Sequence, residues 1–197
     1  TLVCVNPDCA AKHIGKFVHF VARDAMNIVG MSEATIEDFV SEGFVREFRD
    51  FYHLDDHKDR IIALEGFGEK SYQKMQEAVE ASRRTELSRV LYAVGIPNIG
   101  RTAARTICAE FTTPEELEKL TVDELTAIDG IGDILAGEYV KFFANETNLT
   151  EFRNLIAELE IIPPEQVNSG SGIVGKSFVI TGSVHIWKNL NELKAFI

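Results

Sequence analysis

The sequence contains no long apolar run. No stretch of about 18 apolar residues occurs among its 197 residues, and no charged segment followed by an apolar one precedes Cys4. Neither a membrane-spanning helix nor a secretion signal is supported, so the sequence predicts a cytoplasmic protein without a membrane partner. The 45% hydrophobic content is enough for a globular core. Because the chain opens on Thr1 and stops at Ile197 within an amphipathic pattern, we expect an excerpt of a longer protein, and we expect this excerpt to be monomeric.

Cysteine is scarce. Three cysteines, an odd number in a chain without a secretion signal, do not fit a disulfide framework and favour metal ligation or burial. Cys4 and Cys9 flank a turn and suit a zinc site, although they supply two ligands where zinc takes four. Cys108 follows Ile107 on the apolar face of a helix, which favours a buried core residue over a third ligand.

Positive charge is also scarce. Lys and Arg number 20 against 31 Asp and Glu, giving a net charge of −11. Duplex DNA is bound largely through neutralisation of its phosphates, so this balance favours a protein-interaction domain over a DNA-binding one. Backbone amides at helix N-termini nevertheless bind phosphate without adding formal charge, and net charge alone therefore does not exclude DNA.

A short pattern recurs four times through the middle of the chain. Each copy is a tripeptide with an apolar central residue, followed by apolar residues at helical spacing. The first residues of successive copies are 36, 32 and 32 positions apart. We name the tripeptides turns 1 to 4; they are Gly30–Ser32, Gly66–Gly68, Asn98–Gly100 and Gly130–Gly132. The spacing predicts one helix-turn-helix unit used four times in a mainly α fold.

Two further helix starts are predicted between turns 3 and 4. Thr113 followed by Glu116, and Thr121 followed by Glu124, both fit a capping box, and Pro114 occupies the favoured first helical position. No alternating pattern typical of a strand occurs before about residue 173.

The turns have a geometry suited to phosphate. Glycine permits a positive φ and a close approach of another backbone, while the central apolar residue packs between the two helices. The amides after the turn lie at the N-terminus of the second helix, where an anion such as a DNA phosphate binds. Four such tripeptides in tandem resemble the helix-hairpin-helix family, which implies binding to the DNA backbone without sequence specificity.

The four copies differ in the residues that follow the turn. Turn 1 ends in Ser32 instead of glycine, which favours a structural role, and turn 4 is followed by Asp133, which repels phosphate. We therefore expect turns 2 and 3 to contact DNA first, then turn 4, then turn 1. Together with nearby arginines, the expected DNA-binding residues are Gly66, Gly68, Lys70, Ser71, Gly100, Arg101, Thr102, Gly130, Gly132, Arg23, Arg83, Arg84 and Arg105.

The beginning of the chain resembles a particular group within the helix-hairpin-helix proteins. Cys4–Ala10 and His19–Ile28 resemble the end of the four-cysteine zinc finger and the start of the helix-hairpin-helix domain of bacterial NAD-dependent DNA ligases. Similar segments follow in the same order at Leu64–Ser71, Leu91–Ile96 and Ile128–Gly132. The resemblance implies that two zinc-finger cysteines precede Thr1, so that Cys4 and Cys9 form an incomplete zinc site.

The end of the chain resembles a different module. Residues 163–172 are rich in Pro, Gly and Ser, as in a linker, and Gly175–Ser183 has the pattern of a short strand that runs into a glycine turn. With the helical pattern at 188–197, this segment resembles the start of a BRCT domain. The predicted organisation is a zinc-finger remnant at 1–18, a helix-hairpin-helix domain at 19–162, a linker at 163–172 and an incomplete α/β BRCT domain at 173–197.

The family resemblance also implies a chemistry. Such ligases transfer AMP from NAD to a lysine in a Lys-x-Asp-Gly motif, use Mg²⁺ and join nicked double-stranded DNA during replication and repair. No Lys-x-Asp-Gly motif occurs in this sequence, so we expect the NAD and Mg²⁺ sites to lie elsewhere in the parent enzyme and this chain to be inactive alone. The alternatives are a helix-hairpin-helix module of another DNA repair protein and a protein-interaction domain.

Overall fold

The computed structural model describes the chain from Ala10 to Pro163. This part consists of ten α-helices, one 3₁₀ helix and two short strands. In chain order the elements are α1 Ala10–Val21, α2 Glu33–Ser41, the 3₁₀ helix Phe48–His57, α3 Lys58–Ile62, α4 Glu69–Ser82, β1 Arg84–Glu86, α5 Leu87–Ala93, α6 Arg101–Glu110, α7 Pro114–Leu117, α8 Val122–Thr126, α9 Asp133–Ala144, α10 Glu146–Ala157 and β2 Glu160–Ile162.

Each predicted turn connects two helices. Turn 1 lies between α1 and α2, turn 2 between α3 and α4, turn 3 between α5 and α6, and turn 4 between α8 and α9. The expectation of a mainly α fold with tandem helical hairpins is therefore confirmed. No helix in the described residues is long and apolar enough to span a membrane.

The two predicted capping boxes are both formed. The hydroxyl oxygen of Thr113 accepts a hydrogen bond from the Glu116 amide at 3.3 Å, and the Glu116 carboxylate accepts one from the Thr113 amide at 3.0 Å. Thr121 and Glu124 repeat the arrangement at the start of α8. These reciprocal bonds satisfy amides that the helix itself leaves without acceptors, so α7 and α8 begin where their sequences predict.

Aromatic side chains of α1 and the 3₁₀ helix form one end of the core. The Phe17 ring lies 5.9 Å from that of Phe48 and 5.6 Å from that of Phe51, and all three side chains are buried. Phe20 stacks on the same two rings. Helix α1, Ala10–Val21, crosses residue 18, the boundary expected between the zinc-finger remnant and the helix-hairpin-helix domain.

A two-stranded parallel sheet closes the domain. Strand β1 pairs with β2 in a register that places Arg84 opposite Glu160 and Glu86 opposite Ile162. The sequence did not predict a strand in this region, because three residues are too few to show alternation.

The residue before β1 fixes this sheet to the 3₁₀ helix. Arg83 donates to the Glu158 carboxylate at 3.0 Å and to the Tyr52 carbonyl at 2.9 Å, and its guanidinium lies 4.8 Å from the centre of the Tyr52 ring. Burial raises the pKa of the Tyr52 hydroxyl to about 12, so it stays protonated and accepts from the Ser82 hydroxyl at 3.1 Å. The Arg83 contacts therefore connect three separate segments of the chain.

Several predictions concern residues outside the described range of 10–163. These are the incomplete zinc site at Cys4 and Cys9, most of the linker at 163–172, and the BRCT-like segment at 173–197.

Candidate nucleic-acid interface

The four turns share a backbone conformation at their first residue. Gly30, Gly66, Asn98 and Gly130 all have a positive φ, between 63° and 94°. This left-handed conformation is accessible to glycine without cost and is tolerated by asparagine better than by most other residues. The pattern explains why asparagine can replace glycine in turn 3, and it shows that the four tripeptides are structurally equivalent.

The second residue of each turn packs into the domain. In turns 2, 3 and 4 its amide donates to the carbonyl three residues earlier: Phe67 to Leu64 at 3.0 Å, Ile99 to Ile96 at 3.1 Å, and Ile131 to Ile128 at 3.1 Å. Ile99 and Ile131 are buried, and Phe67 lies against the core with its ring 5.8 Å from that of Phe39. The apolar residue therefore holds the turn in place, as its central position in the tripeptide predicts.

The third residue is the N-cap of the following helix and distinguishes turn 1 from the others. Ser32 accepts a hydrogen bond on its side chain from the Thr35 amide at 3.1 Å and so caps α2. Gly68, Gly100 and Gly132 provide no side-chain cap to α4, α6 and α9. The first amides of these three helices lack a side-chain acceptor at the cap, as expected of an anion site.

Space around these three glycines is open. Gly68, Gly100 and Gly132 have negative φ values of −159°, −82° and −92°, which other amino acids also adopt. No heavy atom lies within 4 Å of the position that a Cβ would occupy at any of them. Neither backbone strain nor internal packing requires glycine here, although glycine is favoured at an N-cap, and the open space leaves the backbone accessible to a ligand.

The side chains that follow the turns are exposed but differ in charge. The first residues after turns 2, 3 and 4 are Glu69, Arg101 and Asp133, and the second are Lys70, Thr102 and Ile134. Ser71 follows Lys70 in the first turn of α4, and the Ile134 side chain is 75% exposed. The positive side chains thus accompany turns 2 and 3.

Turns 3 and 4 lie beside each other. The first turn of α6 and turn 4 line one groove with a volume of about 350 Å³. Its walls are formed by Gly100, Arg101, Thr102, Ala103, Thr106, Asp129, Gly130 and Ile131. The expected contact residues Gly100, Arg101, Thr102 and Gly130 therefore share one site, whose acidic member is Asp129.

Arg101 also contacts the loop that precedes turn 1. Its Nη1 lies 2.7 Å from Oδ1 of Asp24, with side chains 55% and 60% exposed. Arg89 of α5 holds the same loop, since its Nε donates to the Ala25 carbonyl at 2.9 Å and its Nη2 to the Arg23 carbonyl at 3.0 Å. The exposed Arg23 is thereby placed on the loop that meets the start of α6.

The remaining arginines are placed differently. Arg83 is half-buried and bonded to Glu80, Glu158 and Tyr52, so its guanidinium has a structural role. Arg84 is exposed, 3.6 Å from a Glu160 carboxylate oxygen across the sheet. Arg105 is exposed on α6, one helical turn after Arg101.

The described residues offer no metal centre. They contain no group of three or more His, Cys, Asp or Glu side chains arranged to hold a metal ion. Cys108 is buried as predicted, and burial raises the pKa of its thiol to about 12. A thiol held in this protonated form is a core residue.

Sequence reasoning missed Arg89 and Asp24. Their contacts join residues 64 to 77 positions apart, and no local pattern signals such a contact. The one available indication was the position of Arg89 as the sole charged residue of the mostly apolar helix Leu87–Ala93.

The hairpin geometry and the open glycine caps define a helix-hairpin-helix protein, and a family model described as "Helix-hairpin-helix motif" matches residues 89–151. That range contains turns 3 and 4 with their helices. The chain is also similar along its whole length to bacterial proteins named DNA ligase.

Three relatives illustrate the match. The chain is 41% identical to the DNA ligase of Ruminiclostridium cellulolyticum and 41% identical to that of Lachnoclostridium phytofermentans, each over 198 residues. It is 37% identical to the DNA ligase of Bacillus subtilis over 203 residues. Each match covers 100% of this chain and 30% of the relative, so the chain spans about a third of the length of these proteins.

Proposed function

We propose that this chain binds the sugar-phosphate backbone of double-stranded DNA through turns 2, 3 and 4, without reading the base sequence. The observation that carries the proposal is the set of three helix N-termini at Gly68, Gly100 and Gly132, where no side chain caps the helix and the space above the glycine is open. An anion bound there accepts from backbone amides and interacts favourably with the helix dipole.

Turns 2 and 3 contribute most in this proposal. Lys70 and Arg101 add a positive charge near the N-termini of α4 and α6, whereas the first turn of α9 carries no cation. Acidic residues flank turn 2 (Glu65 and Glu69) as they flank turn 4 (Asp129 and Asp133), but Glu69 is paired with Lys58. Turn 1 has a structural role, because Ser32 already occupies the Thr35 amide. This arrangement also reconciles DNA binding with a net charge of −11, since the contacts depend on local amides and a few cations.

The relatives are named DNA ligase, and we propose that the longer protein joins nicks in duplex DNA with NAD as the AMP donor and Mg²⁺ as the metal. In that protein, a monomer in the cytoplasm, this chain holds the nicked duplex. The sequence contains no Lys-x-Asp-Gly motif, so the adenylation step is assigned to no residue here. Zinc would bind at Cys4 and Cys9 only together with further ligands.

The proposal is tested by fluorescence anisotropy with a labelled nicked duplex, titrated at several salt concentrations. We expect binding that falls steeply with salt and is equal for duplexes of unrelated sequence. Lys70→Ala should weaken binding equally on all sequences and lower the salt slope by about one. Lys141→Ala is the matched control, because Lys141 is exposed in the last turn of α9, at the opposite end of that helix from turn 4.

Two results would contradict the proposal. Equal effects of Lys70→Ala and Lys141→Ala would show that only overall charge matters and that turn 2 is not a contact. No binding at low salt would favour the protein-interaction alternative, which the acidic composition supports.

A further inference from the structure

One positively charged side chain of the proposed DNA interface, Arg101, already forms an ion pair within the protein. The Arg101 guanidinium forms an ion pair with Asp24 at 2.7 Å, whereas the structure pairs Lys70, the cation nearest to turn 2 in α4, with no carboxylate among residues 10–163. A guanidinium presents the same planar pair of donors to a carboxylate and to a phosphate. Asp24 and a DNA phosphate at turn 3 therefore compete for one group.

The position of Asp24 is fixed by neighbouring contacts. Arg89 binds the carbonyls on both sides of it, those of Arg23 and Ala25. The Ala25 amide donates to the Ala22 carbonyl at 2.9 Å, and the Asn27 amide donates to the same carbonyl at 2.9 Å. The loop backbone is thus held against α5, and the carboxylate of Asp24 stays beside the start of α6.

We propose that Asp24 is an internal competitor that sets the affinity of turn 3 for DNA. In the unbound protein Asp24 holds Arg101; on binding, Arg101 exchanges this carboxylate for a phosphate. Asp24 is then released to solvent. This inference rests on the proposed function, and it adds a residue that lowers affinity to those that supply it.

The structure sets the size of the effect. Both side chains are more than half exposed, so their pairing is a surface ion pair, whose loss changes an equilibrium by up to about fivefold. Asp24→Asn should therefore tighten binding by about threefold to fivefold. When Arg101 leaves Asp24 in the wild type, the free carboxylate attracts one salt cation. This uptake offsets the one counterion that the phosphate releases, so the net number of ions released is smaller. Asp24→Asn should consequently steepen the salt slope by about one.

The experiment compares Asp24→Asn with a variant of equal charge change. Asp38→Asn serves as the control, because Asp38 is exposed on α2 and forms no ion pair in the part of the chain that the structure describes. Binding of each 197-residue protein to the nicked duplex is titrated against salt. The same change is also made in the Arg101→Ala background, and thermal unfolding followed by circular dichroism checks that each variant folds. Asp24→Ser provides a second substitution and should reproduce the result of Asp24→Asn.

Tighter binding and a steeper salt slope for Asp24→Asn, both absent with Asp38→Asn and in the Arg101→Ala background, are the expected result. Equal effects of Asp24→Asn and Asp38→Asn would overturn the inference while leaving the proposed function intact. An effect of Asp24→Asn that persists without Arg101 would overturn it as well. Absence of DNA binding by the wild type at low salt would overturn the proposed function, and this inference with it.

Discussion

Replacement of Gly100 by alanine should separate DNA binding from folding. Gly100 has φ −82° and ψ 175°, and no heavy atom lies within 4 Å of the added Cβ. Alanine is a poorer N-cap than glycine, but it also reduces the entropy of the unfolded chain by about 0.4–1 kcal/mol. Because the two effects oppose each other, the free energy of unfolding should change by less than about 0.5 kcal/mol.

Gly130→Ala is the matched comparison. Gly130 is also a turn glycine with no neighbour within 4 Å of a Cβ, but its φ is +84°. A side chain in this left-handed conformation costs about 1–2 kcal/mol. Urea denaturation should therefore show a loss of this size for Gly130→Ala and almost none for Gly100→Ala.

Although Gly100→Ala should leave stability almost unchanged, it should weaken DNA binding. A Cβ there keeps a phosphate from the amides at the start of α6, and a hydrogen bond to a charged group contributes about 1.5–3 kcal/mol. Gly100→Ala should therefore lower the affinity for a nicked duplex by about tenfold or more. The reasoning is refuted if Gly100→Ala binds as tightly as the wild type, because no phosphate then approaches that glycine.

Two further predictions concern the scaffold. Phe17→Ala should lower the free energy of unfolding in urea by about 3–5 kcal/mol, because the ring is buried against Phe48 and Phe51; a loss below 1 kcal/mol would place α1 outside the core. Burial alone raises the pKa of Glu158, but hydrogen bonds from His53 and Arg83 outweigh it, so the pKa is lowered overall. Glu158 therefore stabilises the fold above its ordinary pKa and loses this contribution as the pH falls through the lowered value. Glu158→Gln should be less stable than the wild type at neutral pH and equally stable in acid, and a difference that stays constant with pH would contradict this.

The repeated turns could be predicted from the sequence because their causes are local. A positive φ at the first residue and an apolar side chain packed against the core at the second each select a residue type at a fixed position. The capping boxes at Thr113 and Thr121 are local in the same sense. Burial of Cys108 followed from the apolar face of its own helix.

The contacts between hairpins could not be predicted in the same way. Arg89 and Ala25 are 64 positions apart, and Arg101 and Asp24 are 77 apart, so no periodicity connects them. Its positive charge near the turns predicts a DNA contact for Arg83, whereas in the structure its guanidinium donates to Glu158 and Tyr52. The sequence shows which residues carry a positive charge. Whether such a side chain is free to bind a phosphate depends on its hydrogen bonds and ion pairs in the folded protein.

The pairing of β1 with β2 affects how the domain comes apart. In a linear array of repeats, an end repeat can unfold while its neighbours remain folded. Here the strand that follows α10 is hydrogen-bonded to the strand that precedes α5, so residues 87–159 form a loop whose two ends are joined. Turns 3 and 4 both lie within this loop. Fraying from the last hairpin is thereby opposed, and amide hydrogens in α6 and α9 should exchange with solvent through one shared opening event.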